Sequence, residues 1–138
     1  MNLVERLLAV DAKQIKEKLT EKIEIKRLSK LTGEPFFVTV QEVDGERYQE
    51  LQMELLDKKG RADYSKIYKQ NTLLVLEGVI EPNLKDQALQ EHFGASTPKD
   101  LAEILFPGGA MAKIADLISK VSGFDDEEQA EEEEEIKN

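Results

Sequence analysis

The side chains that could move a proton or attack a carbon are few in this sequence and poorly placed for either task. His92 is the single histidine. Beside Phe93 near the predicted end of a helix, it reads as a surface or capping residue rather than a general base. Ser119 and Ser122 fall on or just after an amphipathic helical pattern, and no G-x-S-x-G elbow marks a nucleophile. Gly108 and Gly109 lack both the G-x-x-x-x-G-K-[ST] spacing and a preceding strand, so they read as a turn between helices, not as a phosphate cradle. Asp57 and Asp63 in DKKGRAD lack the alternating oxygen ligands and closing Glu of a calcium loop. The run Glu131 to Glu135 would hold cations only weakly and without selectivity. With no cysteine, disulfides, thiolate zinc sites and thiol nucleophiles are excluded. Catalysis needs converging groups with shifted pKa values, and none emerges. The expectation is no catalytic residue, no cofactor site, no metal site, and a protein that is not an enzyme.

What remains is binding. The net charge is -10, but from Asp125 to Asn138 nine acidic residues stand against one Lys, leaving only -2 on the other 124 residues. Like charges repel, and a segment almost without apolar side chains cannot offset the entropy of ordering. Residues 125–138 are therefore expected to form an acidic disordered tail, and residues 1–124 a single globular domain. A chain of this size holds one core, burying roughly two-thirds of its unfolded surface. No block of Lys and Arg offers a surface for phosphates, so nucleic acid is not an expected partner. The N-terminus, MNLVERLLAVDAKQIKEK, is charged within its first few positions, and no segment approaches the roughly 18 apolar residues of a membrane span. Neither export nor a membrane is expected, and a cytosolic location fits the cysteine-free composition.

The elements can be placed from periodicity and punctuation. Leu3, Val4, Leu7 and Leu8 share one face of a short amphipathic helix from residue 2 to about 9, whose partner surface the sequence leaves open. EKIEIKRL and PFFVTVQEV alternate as two strands joined by a long connection through Gly33 and Pro35. Two strands alone are marginal in water, so this hairpin must lie on helices or add strands from another chain. A helix from Asp44, with Tyr48, Leu51 and Leu55 on one face, is expected to end at DKKG, where Lys58, Lys59 and Gly60 suit a helix C-terminus. A further helix from about Tyr64 to Val79 contains Leu73 to Leu76, apolar on all sides, which marks it as the centre of the core. Pro82 breaks the chain. Asn83 and Asp86 open a short helix to Phe93, Thr97 and Pro98 open one to about Phe106, and Met111, Ile114, Leu117, Ile118 and Val121 mark a last helix closed by Gly123. The resulting fold class is α+β, mainly α: a small N-terminal β-hairpin packed with a bundle of five or six helices.

Two features could serve a partner. On the last two helices, Leu101, Ile104, Leu105, Met111, Ile114, Leu117 and Ile118 either pack inward or present a groove to an amphipathic helix. Apolar stripes usually face their own domain, so inward packing has priority. The candidate partner-binding set under the second reading is Leu101, Leu105, Met111, Ile114, Leu117 and Ile118. The acidic tail serves equally as a solubility device or as a partner contact.

The order of segments resembles a known family. EIKRLSKLTGEPFFVTVQEV, followed by LLVLEGVIEPNLKDQALQEHFGASTPKDLAEILFPGGAMAKIADLISKVSGF, is similar to the XkdN-like tail assembly chaperones of long-tailed phages and prophages. IEIKRLS, LEGVIEPNL, FGASTPKDL and LFPGG ahead of a helix ending in SGF carry most of the likeness. The resemblance implies a protein that binds the tape measure protein and keeps it soluble until tail tube subunits polymerise around it. The tail tube protein is then a second partner, and homo-oligomers are compatible with the role. The resemblance also implies absence from the finished virion. Many members have a longer frameshifted form, and Lys137 and Asn138, with codons beginning AA, are compatible with a slippery A-rich stretch. The rival function is an acidic adapter or inhibitor whose tail mimics nucleic acid.

Overall fold

The computed structural model describes residues 2–124. The acidic tail foreseen for residues 125–138 lies outside them. The elements run α1 (Leu3–Leu8), α2 (Ala12–Lys16), β1 (Thr20–Glu24), α3 (Lys26–Thr32), β2 (Phe37–Gln41), α4 (Gly45–Gln52), α5 (Ile67–Gly78), β3 (Val79–Glu81), α6 (Gln87–His92), α7 (Pro98–Leu105) and α8 (Ala110–Val121). The three strands form one antiparallel sheet in the order β1-β2-β3.

The central strand follows its alternation. Val38 and Val40 point inward and are fully buried, while Phe37 on the opposite face stays half exposed. Ile23 on β1 faces Val38 across the ladder, and Val79 on β3 faces Val40. α8 packs on β1 and β2 with one side and on α5 with the other, and α5 in turn touches α4 and α7. The core is one cluster in which Phe106, Leu101, Met111, Ile114 and Ile118 join Val38, Val40 and Val75 with almost no surface open. Buried Gln70 and Thr72 are satisfied: Gln70 Nε2 donates to Gln52 Oε1 at 2.7 Å, and Thr72 Oγ1 to the Tyr68 carbonyl at 2.8 Å.

The structure corrects the expected hairpin in two places. The strand read through Leu28 ends at Glu24, because the alternation is only two isoleucines long and KRLSKLT is helical. Ser29 secures the switch: its hydroxyl donates to Glu24 Oε2 and accepts from the Phe36 N–H, both at 2.8 Å. Gly33, with φ of 81°, closes α3 in the left-handed region that favours glycine. The long connection is thus a helix. The second correction is a third strand: the helix expected to reach Val79 stops at Gly78, and the chain continues through the β-branched Val79 and Ile80 as a strand that pairs with β2 at Val79 and Glu81.

Other local signals hold. Asp86 Oδ1 accepts from Leu89 N at 2.8 Å, and Thr97 Oγ1 accepts from Asp100 N at 3.1 Å with Pro98 following. Asp44 stands at the N-cap of α4, yet its side chain makes no capping bond and instead faces Lys18 at 3.6 Å.

Candidate partner-binding surface

Two local signals build the N-terminal arm. Asn2 Oδ1 accepts from Glu5 N at 2.8 Å and starts α1, and Asp11 Oδ1 accepts from Lys13 N at 2.8 Å and starts α2. From Asn2 to Lys22 every residue is exposed. Leu3, Val4, Leu7 and Leu8 form the apolar stripe that their spacing predicts, and each keeps between 61% and 80% of its surface open. Val10, Ile15 and Leu19 continue the exposed apolar character along the arm. Among the described residues the arm is tied down at its base. There Leu19 N donates to Glu42 Oε1 and Glu42 N to the Leu19 carbonyl, both at 2.9 Å, next to the Lys18–Asp44 pair. An uncovered apolar stripe of this kind is a usual mark of a surface made for another polypeptide.

A smaller apolar patch surrounds the turn between α4 and α5, where Met53, Tyr64, Ile67 and Tyr68 are exposed. The turn differs from the helix end expected at DKKG. α4 stops at Gln52, a 3-10 turn spans Met53–Leu55, and the chain doubles back so that Leu56 bridges to Ala62. The Asp57 carboxylate accepts from Lys59 N at 2.8 Å and Arg61 N at 2.9 Å, and Gly60 takes φ of 78°. Lys58 and Lys59 therefore sit on a carboxylate-held loop, away from any helix terminus. Arg47 clamps α4 to α5 through Glu77 at 2.7 Å and also meets Glu50 at 2.9 Å; these hydrogen bonds raise its pKa.

The six residues set aside as a candidate groove are placed elsewhere. Leu101, Leu105, Met111, Ile114 and Ile118 are buried in the domain's own core, and Leu117 is half buried against it. Ile104, their neighbour on α7, is 44% exposed and points outward. Of the two readings these residues follow the inward one: α8 packs on the sheet and α5, and α7 on α5.

The remaining polar residues singled out in the sequence have structural partners. Ser119 Oγ bonds the Tyr48 hydroxyl at 2.9 Å, and Ser122 Oγ accepts from Val43 N at 2.9 Å. His92 is exposed and packs edge-on to Phe93 with ring centres 4.8 Å apart. Gly108 and Gly109 form the turn between α7 and α8. Asp63 is held by Ser65 and belongs to the turn before α5. Among the described residues no three His, Asp or Glu side chains group as a metal site requires, and no helix is long and apolar enough to cross a membrane.

The described residues form a helix-rich α+β domain whose core is closed and whose N-terminal arm leaves its apolar side chains exposed. The family model of phage XkdN-like tail assembly chaperone proteins matches residues 4–137, and the chain belongs to that family. Membership places it in phage tail assembly and implies protein partners there. The fold is similar to that in the crystal structure of the protein yqbn, with a TM-score of 0.55 and 21% identity over 77% of this chain and 87% of that one. No curated protein matches the chain.

Proposed function

We propose that this chaperone binds the tape measure protein in the host cytoplasm, keeps it soluble during tail assembly without catalysing any reaction, and uses its N-terminal arm as the docking element. The observation that carries this reading is the open stripe Leu3, Val4, Leu7 and Leu8 on a chain of this family. A six-residue helix has too few hydrogen bonds to offset the cost of its own nucleation, so α1 needs a surface to pack on. A tape measure polypeptide, long and helical, offers apolar stripes of matching kind before the tube encloses it. Co-expression supplies the test. Leu7→Asp with Leu8→Asp should leave the chaperone folded and soluble while the tape measure protein moves to the insoluble fraction. A tape measure protein equally soluble without any chaperone would overturn the proposal, and one equally soluble with the doubly substituted arm would remove the arm from it.

A further inference from the structure

A basic stretch near the N-terminus and the acidic C-terminal segment carry opposite charge, and the last described residue, Phe124, lies close to the basic stretch. Residues 12–30, which span α2, β1 and α3, hold seven Lys or Arg against three Glu. Residues 31–124 hold fifteen acidic residues against ten basic ones, and residues 125–138 nine against one. A strongly anionic segment is therefore repelled by most of the body and attracted by a single stretch of it.

The exit point of the described chain lies at the foot of that stretch. Phe124 stacks on Tyr48 with ring centres 4.0 Å apart, and Ser122 Oγ accepts from Val43 N at 2.9 Å. The next residue, Asp44, pairs with Lys18 at 3.6 Å, and Glu42 makes both bonds to Leu19. Phe124 is thus linked to the base of the arm through Glu42, Val43 and Asp44, the three residues that follow β2. Lys13, Lys16 and Lys22 are exposed and enter no ion pair among the described residues. The fourteen residues after Phe124 can span at most about 3.3–3.6 Å each, which is ample to follow the arm and β1 from this point.

We infer that the acidic segment 125–138 docks on the basic stretch of its own chain, with Lys13, Lys16, Lys18 and Lys22 as the receiving residues. Tethering makes the contact intramolecular, so each weak pair acts at a high effective concentration. Glu17 and Glu21 lie within the stretch and oppose it, which keeps the contact reversible and sensitive to salt. The stripe of α1 lies beyond the receiving lysines, so the contact is independent of what α1 binds.

The absence of native cysteine permits a direct test on the full chain. A nitroxide attached at Ala130→Cys should broaden the amide signals of residues 12–24 at low ionic strength. The signals should recover in about 1 M salt, where charges are screened within roughly 3 Å. They should also recover in the combined Lys13→Glu, Lys16→Glu, Lys22→Glu variant, whose body signals report whether it is folded. Broadening that persists in salt, or that is centred elsewhere on the body, would overturn the inference. Broadening in a mixture where nitroxide and isotope label sit on separate chains would overturn it too, since the contact would then join two copies.

Discussion

Leu3, Val4, Leu7 and Leu8 on α1 and Met111, Ile114, Leu117 and Ile118 on α8 each mark one face of a helix, yet the two stripes meet opposite surroundings. Ile118 has no exposed surface, whereas Leu8 keeps 80% of its own. α8 has a sheet on one side and α5 on the other, while α1 has no buried residue at all. Periodicity states that a helix has an apolar face; it does not state whether the surface that covers it lies in the same chain. Length separates the two. α8 runs twelve residues, enough to bridge the sheet and α5, whereas α1 runs six and needs a partner to persist.

Truncation at the two stripes gives the largest contrast. Ile118→Ala removes packed atoms from a site that cannot collapse freely and should lower unfolding stability by about 2–5 kcal/mol. Leu7→Ala should change it by no more than about 0.5 kcal/mol, as at other surface positions. Urea denaturation of both variants measures the difference. A Leu7→Ala loss comparable with that of Ile118→Ala would show that the arm packs on its own domain and end the comparison.

The same contrast explains what could be read from the sequence and what could not. The inward residues of β2, the caps at Asp86 and Thr97, and the buried face of α8 follow from spacing and punctuation, because each is decided within a few residues. α3 was hidden because two alternating isoleucines run straight into Lys26–Thr32, and only Leu28 with Gly33 hinted at a helix closing there. β3 was hidden because Leu73 to Leu76 is apolar on all sides and only Glu77 and Gly78 separate it from Val79 and Ile80, a pattern that fits one buried helix as well as a helix followed by a strand; the exit after Gly78 is set by the pairing of Val79 with Val40, a contact distant in sequence. In the arm α1 was legible as a helix, whereas α2 lies in a charged stretch with too few apolar side chains to mark a helical face. That no described residue covers the stripe of α1 was not legible, since that depends on where every other face packs.

Gly78 sharpens the picture at the point where α5 gives way to β3. A Cβ added there would stand 2.6 to 2.8 Å from three side-chain carbons of Ile118, which is fully buried and has nowhere to retreat. Alanine would normally gain up to about 1 kcal/mol over glycine in a helix. Overpacking costs about 1–3 kcal/mol and outweighs that gain, so Gly78→Ala should destabilise. Pairing it with Ile118→Val should recover part of the loss, which a double-mutant cycle reads as a coupling between the two sites. Additive losses would mean that the close approach is relieved by backbone movement instead.

Among the buried positions the smallest effect falls where the core meets the last described residue. Tyr48 is nearly buried, its ring stacks on Phe124 and its hydroxyl meets Ser119 Oγ at 2.9 Å. Tyr48→Phe keeps the stack and removes one hydrogen bond between neutral groups, so it should cost about 0.5–1.5 kcal/mol. Ser119→Ala should cost a similar amount, and the two together little more than either alone, since both delete the same bond. Because the stack on Phe124 survives, the tail should leave the body at the same place, and amide shifts around Val43 and Asp44 should stay put. Stability lost with those shifts unchanged would assign Tyr48 to holding α4 on α8; shifts that move as far as Lys18 would tie the same hydroxyl to the base of the arm.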